Sequence, residues 1–406
     1  MKRRSSGHAV ALALGSAAAG VLAYVVFALT TRALGDAAAA VSVLWSYWGF
    51  AGAALTFPLQ HWIARTVTAD GPAPVRDALP RLGVLVVVAA VLSGGLAWWG
   101  RDSLFHRDDL WFPVLVALVT VGSAVMGVVR GGLSGAGDFG SVAISLAAEN
   151  ALRCVAVGAL GIIEVAEPVA YGFCIVAGYL VAACWPRAIR FDRERPSTRA
   201  HSALEFLSAA GLAQLLGQVV LTGGPIVLAL TGGTAAQVTA LFVALALFRA
   251  PYTVALGMVS QLTTVITGLV VSGATAALRR IRLVVVSATA LACVVAGVGA
   301  SALGPAVIRG VFGDAIEFPG TESAFVAVGC VLAVANLVLT ITALAYDRPG
   351  TVAIAWVIAI CAGLASYVVL ANLPAPETIV SCFLIAEAAS FVSLLAASGP
   401  RYARPS

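Results

Sequence analysis

Residues 279–303 read RRIRLVVVSATALACVVAGVGASAL. Arg279, Arg280 and Arg282 stand at one end, and no further Asp, Glu, Lys or Arg follows before Arg309. A run of about 20 apolar residues is what a helix needs to cross a hydrocarbon layer ~30 Å thick, and basic residues collect on the cytoplasmic flank of such a span. This stretch therefore sets both the solvent and the direction of the chain. The same unit recurs at 8–30, 38–66, 81–100, 111–131, 141–163, 169–186, 204–230, 236–262, 281–303, 322–345, 350–371 and 378–397, which makes twelve predicted spans. Helix breakers fall between them: Gly71-Pro72-Ala73-Pro74, Gly135-Ala136-Gly137-Asp138, Gly232-Gly233, Pro349-Gly350 and Leu373-Pro374-Ala375-Pro376. With 61% hydrophobic residues, 11% charged and a mean hydropathy of +1.00, the fold class expected is an all-α polytopic membrane protein.

An even number of crossings returns the C-terminus to the side of the N-terminus. With Lys2, Arg3 and Arg4 in the cytoplasm, the inner connections also gather Arg65, Arg76, Arg81, Arg130, Arg187, Arg190, Arg193, Arg195, Arg199, Arg279, Arg280, Arg282, Arg348, Arg401 and Arg404, so that 18 of the 24 basic residues lie inside. Arg32, Arg101, Arg107 and Arg309 fall outside, among Asp36, Asp102, Asp108, Asp109, Glu164, Glu167, Asp314, Glu317, Glu322 and Glu377. This asymmetry predicts cytoplasmic N- and C-termini. It also explains the net charge of +5 as topology, with no nucleic-acid partner implied. The basic start could imitate a secretory signal, but its apolar run is long and eleven more follow. Trp98, Trp99 and Trp111 at an outer turn, and Trp62 and Trp185 near inner ends, fit interfacial anchors.

Chemistry-bearing motifs are sparse. The seven cysteines all lie inside predicted spans with no CxxC pair, and the four histidines are scattered, so no metal site is expected. Asp138-Phe139-Gly140 has no glycine-rich or catalytic loop to make it a kinase tag, and no GxxxxGK[ST] occurs. No cofactor and no enzymatic centre are predicted.

The longest and most basic inner connection, from Arg187 to about Ala203, divides the spans six and six. It predicts two six-helix lobes, 1–200 and 201–406, related as parallel repeats.

Function then rests on polar residues at membrane depth. Each ionisable residue near mid-bilayer costs roughly 2.5–3.5 kcal/mol and should face water or a partner. Glu149 and Arg153 are spaced i,i+4 and can pair; the pair either neutralises itself for packing or leaves Arg153 lining a cavity beside Asn150. Arg249 has no acid three or four residues away, and Pro251 should bend its helix. A fixed cation beside a kink suits an anionic head-group, with Glu387 as the alternative counter-charge from another helix. Gln214 and Gln218, also i,i+4, precede Gly223-Gly224-Pro225, an interruption of the type that marks sites or gates in transporters; helix-to-helix packing is the competing use of the glutamines.

Thr31-Arg32-Ala33-Leu34-Gly35-Asp36, followed by an aromatic-rich span ending Gln60-His61-Trp62-Ile63-Ala64-Arg65, resembles the opening of the polysaccharide-biosynthesis flippases of the multidrug/oligosaccharidyl-lipid/polysaccharide (MOP) exporter superfamily. The turn from Arg130 through Gly131-Gly132-Leu133-Ser134-Gly135 to Gly137-Asp138-Phe139 is similar to that family's connection between its fourth and fifth spans. The resemblance implies a V of two six-helix lobes in a bacterial inner membrane. It implies a polyprenyl-diphosphate-linked glycan moved from the cytoplasmic to the outer leaflet among membrane lipids, with cavity cations such as Arg249 and Arg153 meeting the diphosphate. Any coupling ion would be H⁺ or Na⁺. The first span departs from the family in having no charge between His8 and Arg32.

A drug or cation antiporter of the same superfamily is the second reading. It wants a free carboxylate in the first lobe, where Glu149 must share itself with Arg153. A membrane polysaccharide polymerase or ligase would need a larger outer platform than the connection at 304–321, and a major-facilitator carrier would show a Gly-x-x-x-Asp-Arg-x-Gly-Arg signature that is missing.

Overall fold

A computed structural model describes residues 2–191, 215–257, 262, 265–266, 268–270, 272–314, 316–346 and 348–398, and every regular element among them is helical. In chain order these are α1 (Lys2–Leu34), α2 (Ala39–Ala51), α3 (Phe57–Asp70), α4 (Ala73–Trp99), α5 (Arg101–Phe105), α6 (Trp111–Gly135), α7 (Phe139–Ile162) and α8 (Pro168–Ala177). A helical stretch over 215–222 follows, then α9 (Gly224–Leu230), α10 (Ala235–Phe248), α11 (Ala250–Gly257), α12 (Thr275–Phe312), α13 (Gly320–Ala345), α14 (Pro349–Val369) and α15 (Ala375–Ala397).

By length and composition, eight described helices can cross a membrane, or nine if the bent pair α10–α11 is one span. The twelve expected differ at three places. The first two expected spans lie in one helical run, Leu14–Ala64. Fifty-one residues at 1.5 Å each would reach about 77 Å, more than twice a bilayer core, and Gly35 with φ +54° breaks the run where two crossings must join. The sixth is a shorter apolar helix, Pro168–Cys184, whose last part tightens into 3₁₀ geometry. The seventh, 204–230, lies partly outside the described residues, as do Gln214, Arg193, Arg195 and Arg199.

The surface is inverted relative to a water-soluble protein. Val84, Val87, Val91, Leu92 and Leu96 on α4 and Leu291, Val294, Val295 and Val298 on α12 are exposed, while Arg130, Glu149, Arg153, Asn336 and Glu387 are buried. Only lipid makes that arrangement favourable, so the chain is a multi-pass membrane protein.

The residues divide into two compact units, Met1–Val243 with Ile308–Glu317, and Ala244–Val307 with Phe318–Ser406. In the first, α6 is the central helix, packed against α2, α3, α4, α7 and α8. Gly127, Gly131 and Gly135, spaced four residues apart on α6, meet Leu59, Ile63 and Val67, spaced likewise on α3. A Cβ on Gly131 would stand 2.7 Å from that of Ile63, so only glycine lets the two helices approach this closely. Trp62 belongs to this packing. It is buried with Leu59, Ile63, Val75, Leu82 and Ala124, and is no interfacial anchor; Trp98, Trp99 and Trp111 are exposed as anchors should be.

The α6–α7 turn explains its own sequence. Gly137, at φ +75°, takes the left-handed position closing α6, with Asp138 N–H donating to Leu133 O at 2.9 Å. Asp138 then caps α7 by accepting from Ser141 N–H at 3.0 Å. Against α7 runs α1. Gly15 meets Ala143, Asn150 donates to Ala19 O, and Cys154 lies on Leu22 O, so the two helices run in the same direction. Arg32, at the end of α1, donates to the carbonyls of Gly310 and Val311 at 2.6 and 2.9 Å.

In the second unit α15 packs against α13 and α14, and α11 against α13. Gly329 makes room for the ring of Phe383. Arg348 donates to Ala397 O at 2.7 Å and closes the C-terminus of α15.

Candidate functional site

Two buried polar clusters stand out, one in each unit. In the first, the predicted pair forms: Arg153 Nη2 lies 2.6 Å from Glu149 Oε1. The other carboxylate oxygen, Oε2, is held by Arg130 Nη2 at 2.5 Å, while Arg130 Nε donates to Ser145 Oγ at 3.1 Å. Glu149 is thus bound by guanidinium on both oxygens, and the triad carries a net charge of +1.

Arg153 has 0% of its surface exposed. Its Nη1 donates to Asn150 Oδ1 at 2.8 Å and its Nε to Ile175 O at 2.9 Å. The guanidinium also lies over Trp48, Tyr179 and Trp45, 4.7, 5.4 and 5.5 Å from the ring centroids. Gly178 is the reason it fits: a Cβ there would be 2.5 Å from Arg153 Nε. Asn150 is used at both ends, since its Nδ2 donates to Ala19 O at 3.0 Å. Tyr179 in turn shares a 2.8 Å hydrogen bond with Ser123.

Sequence reading missed Arg130 by counting it among the connection charges. The signal was in the turn. An antiparallel hairpin centred on Gly137 brings Arg130 opposite residues 144–145, and a long guanidinium reaches one helical turn further, to Glu149. The aromatic cage could not be read in the same way, because Trp45, Trp48 and Tyr179 come from elements distant in sequence.

In the second unit, Glu387 sits at the middle of α15 with 0% exposure. Asn336 on α13 donates through Nδ2 to Glu387 Oε2 at 2.7 Å and to the Glu387 backbone carbonyl at 3.1 Å. Glu387, expected as counter-charge to Arg249, is held by this amide, and among the described residues no carboxylate lies within 4.0 Å of Arg249. The Arg249 side chain is half-buried. The helix axis turns by 50° at Arg249, between Ala235–Phe248 and Ala250–Leu256. Pro251 lacks the N–H that would bond to Leu247 O, which gives the bend its cause. Tyr252 and Cys330 lie within electrostatic reach of both Arg249 and Glu387.

Among the described residues, no hydrogen bond joins the remaining predicted residues to these clusters. Gln218 is half-buried, and its backbone carbonyl accepts from Thr222 Oγ1 at 2.8 Å. Gly223 interrupts the helix for one residue, and buried Pro225 lies in the first turn of α9. At the α5–α6 connection, Arg107 pairs with Asp109 and Glu167, and the Asp109 hydrogen bond holds its guanidinium above the ordinary value against partial burial.

An all-helical chain with apolar walls outside and sealed charge clusters within defines a polytopic helical membrane protein. No family model matches the chain, and no curated protein matches it. Solved structures do. An inward-facing multidrug resistance MATE family transporter of the MOP superfamily superposes with a TM-score of 0.61 at 15% identity, covering 95% of this chain and 93% of that one. The outward-facing form of a MATE family transporter gives 0.61 at 14%, covering 96% and 93%. A MOP superfamily transporter from Pyrococcus furiosus, described as having a binding pocket of reverse polarity that suggests a different function, gives 0.63 at 14%, with the same coverage. The fold is that of the MATE and MOP transporters along nearly the whole chain.

Proposed function

We propose that this protein is an alternating-access transporter of a bacterial inner membrane that carries a polyprenyl-diphosphate-linked oligosaccharide from the cytoplasmic to the outer leaflet. The likeness to both inward- and outward-facing transporter structures supports the transport class. The observation that carries the cargo assignment is Arg249, a half-buried guanidinium at a 50° helix bend with no carboxylate within 4.0 Å among the described residues. A guanidinium at such a place supports recognition of a diphosphate, which it can bind bidentately. The two-lobe division at 1–200 and 201–406, cytoplasmic termini, and contributions from Gln214 and Gln218 belong to the same reading.

A multidrug antiporter is the second reading, favoured by the multidrug transporters among the structural neighbours. Against it stands Glu149, whose two carboxylate oxygens are each taken by an arginine, leaving no free acid there for a coupling cation.

The test reconstitutes the purified protein in liposomes with a fluorescent polyprenyl-diphosphate sugar in the inner leaflet and follows its appearance outside. Wild type should translocate it, and Arg249→Ala should lose most of the rate at normal protein levels. Unchanged translocation in the Ala variant overturns the role of Arg249. Transport of organic cations with no movement of the lipid-linked sugar would establish the antiporter instead.

A further inference from the structure

One helix carries its charge at one end and bare hydrocarbon along its side. α12 has 38 residues, which reach about 57 Å at ~1.5 Å each, and up to Val307 it belongs to the second unit. Residues 283–303 include no Asp, Glu, Lys or Arg and by themselves span a hydrocarbon layer ~30 Å thick. Arg279, Arg280 and Arg282 are thereby left at headgroup depth.

Packing decides which way these arginines face. Leu278 is buried and clusters with Ile266 and Ile341, beside Leu269, Ala345 and Tyr346. Gly273, at φ +66°, sets the turn before the helix, where Ala274 N–H donates to Leu269 O at 3.0 Å. With Leu278 held inward, Arg279 and Arg280 are exposed and Arg282 is half-buried. Leu283 and Val284 follow the first two by four residues, and Leu291, Val294, Val295 and Val298 continue the exposed side. Ser287, on that same side, turns its hydroxyl back to Leu283 O at 2.9 Å. A cationic head thus tops a long apolar stripe. Among the described residues no carboxylate lies within 4.0 Å of the three guanidiniums, and the sequence has no acid from 206 to 313. Of the second unit's acids, Glu322 and Glu377 lie in the first turns of α13 and α15, away from the end of α13 that Leu278 meets. Glu387 is in mid-helix, and Asp347 adjoins Arg348 in sequence.

We infer that Arg279, Arg280 and Arg282 bind the phosphate of an anionic glycerophospholipid whose acyl chains lie along the exposed stripe of α12. A guanidinium meets a phosphate through two parallel N–H···O bonds. A lipid is the anion that satisfies head and stripe together, since a free phosphate leaves the hydrocarbon unused. A zwitterionic lipid offers the same phosphate, but its own ammonium cancels the charge that three arginines attract. The leaflet is the cytoplasmic one on the charge asymmetry proposed from the sequence. Lipid binding here does not depend on what the protein transports.

Purified full-length protein in maltoside micelles is titrated with dioleoyl phosphatidylglycerol or dioleoyl phosphatidylcholine, and bound lipid is counted by native mass spectrometry. Wild type should hold one phosphatidylglycerol at least about tenfold more tightly than phosphatidylcholine, each basic residue at a membrane surface contributing roughly a fivefold factor. The triple variant Arg279→Gln/Arg280→Gln/Arg282→Gln should lose that preference with its helicity kept, and the corresponding triple change to Lys should retain most of it. A control, Arg81→Gln/Arg187→Gln/Arg190→Gln, removes as many exposed arginines from the first unit and should bind as wild type. Equal loss in the control would mean a general attraction to basic helix ends and would overturn the site. So would the absence of any preference in wild type, or displacement of the lipid by inorganic phosphate.

Discussion

Removing the carboxylate of Glu149 should destabilise the protein more than removing Arg130, although the two make one ion pair. Arg130 and Arg153 bind opposite oxygens of the same carboxylate, at 2.5 and 2.6 Å, so their charges lie about 5 Å apart with one negative charge between them. In Glu149→Gln that charge is gone. Two buried guanidiniums then repel by about 3 kcal/mol at an effective dielectric of ~20, in line with the roughly 3–5 kcal/mol seen when one partner of a buried pair is deleted. In Arg130→Gln the neutral Glu149–Arg153 pair survives with its bonds to Asn150 and Ile175, and the loss is the charged hydrogen bond to Glu149, about 1.5–3 kcal/mol gross, with the weaker bonds to Ser145, part of which Gln can remake. The double variant Arg130→Gln/Glu149→Gln should therefore be more stable than Glu149→Gln alone. Equilibrium unfolding of the three proteins in mixed detergent–SDS micelles, followed by circular dichroism, gives the order directly. Equal destabilisation by the two single changes, or no recovery in the double variant, would refute the electrostatic account of this cluster.

Two further substitutions probe packing. Gly131→Ala places a Cβ 2.7 Å from that of Ile63 and should cost about 1–3 kcal/mol by the same unfolding assay, with partial recovery when Ile63→Ala is added. Gly178→Ala puts a methyl group 2.5 Å from Arg153 Nε, which must push the guanidinium out of its aromatic cage. A changed tryptophan emission from Trp45 and Trp48, with helicity kept, is the expected result, and an unaltered spectrum would count against the cage.

Much of this was legible along the chain because lipid imposes a single strong requirement on sequence. The apolar runs, the Glu149–Arg153 spacing and the Arg249–Pro251 bend all depend on residues within a few positions of one another, where helical periodicity suffices. Arg130 escaped because α6 continues to Gly135, beyond the end expected at 131, and draws a supposed connection charge into the core. Trp62 escaped for a related reason: the next helix, α4, returns Val75 and Leu82 over it. The Asn336–Glu387 bond joins residues 51 apart on two helices with a third between them in sequence, and no local pattern encodes that register.

The two buried clusters also differ in a way that bears on what each can do. In the first unit every polar atom of Glu149, Asn150 and Arg153 has its partner or ring contact, and the surplus positive charge is spread over aromatic faces. A network satisfied to this degree is rigid and resists exchange with a ligand. In the second unit the acid is half-satisfied and the nearby guanidinium of Arg249 sits at a bent, half-buried turn. Binding can repay unsatisfied groups, whereas it would have to break satisfied ones. On the proposed transport reading, ligand exchange is assigned to the Arg249 bend, and the Arg130–Glu149–Arg153 cluster is expected to act as framework. It follows that Glu149→Gln should act on stability, and Arg249→Ala on transport in a protein that still folds.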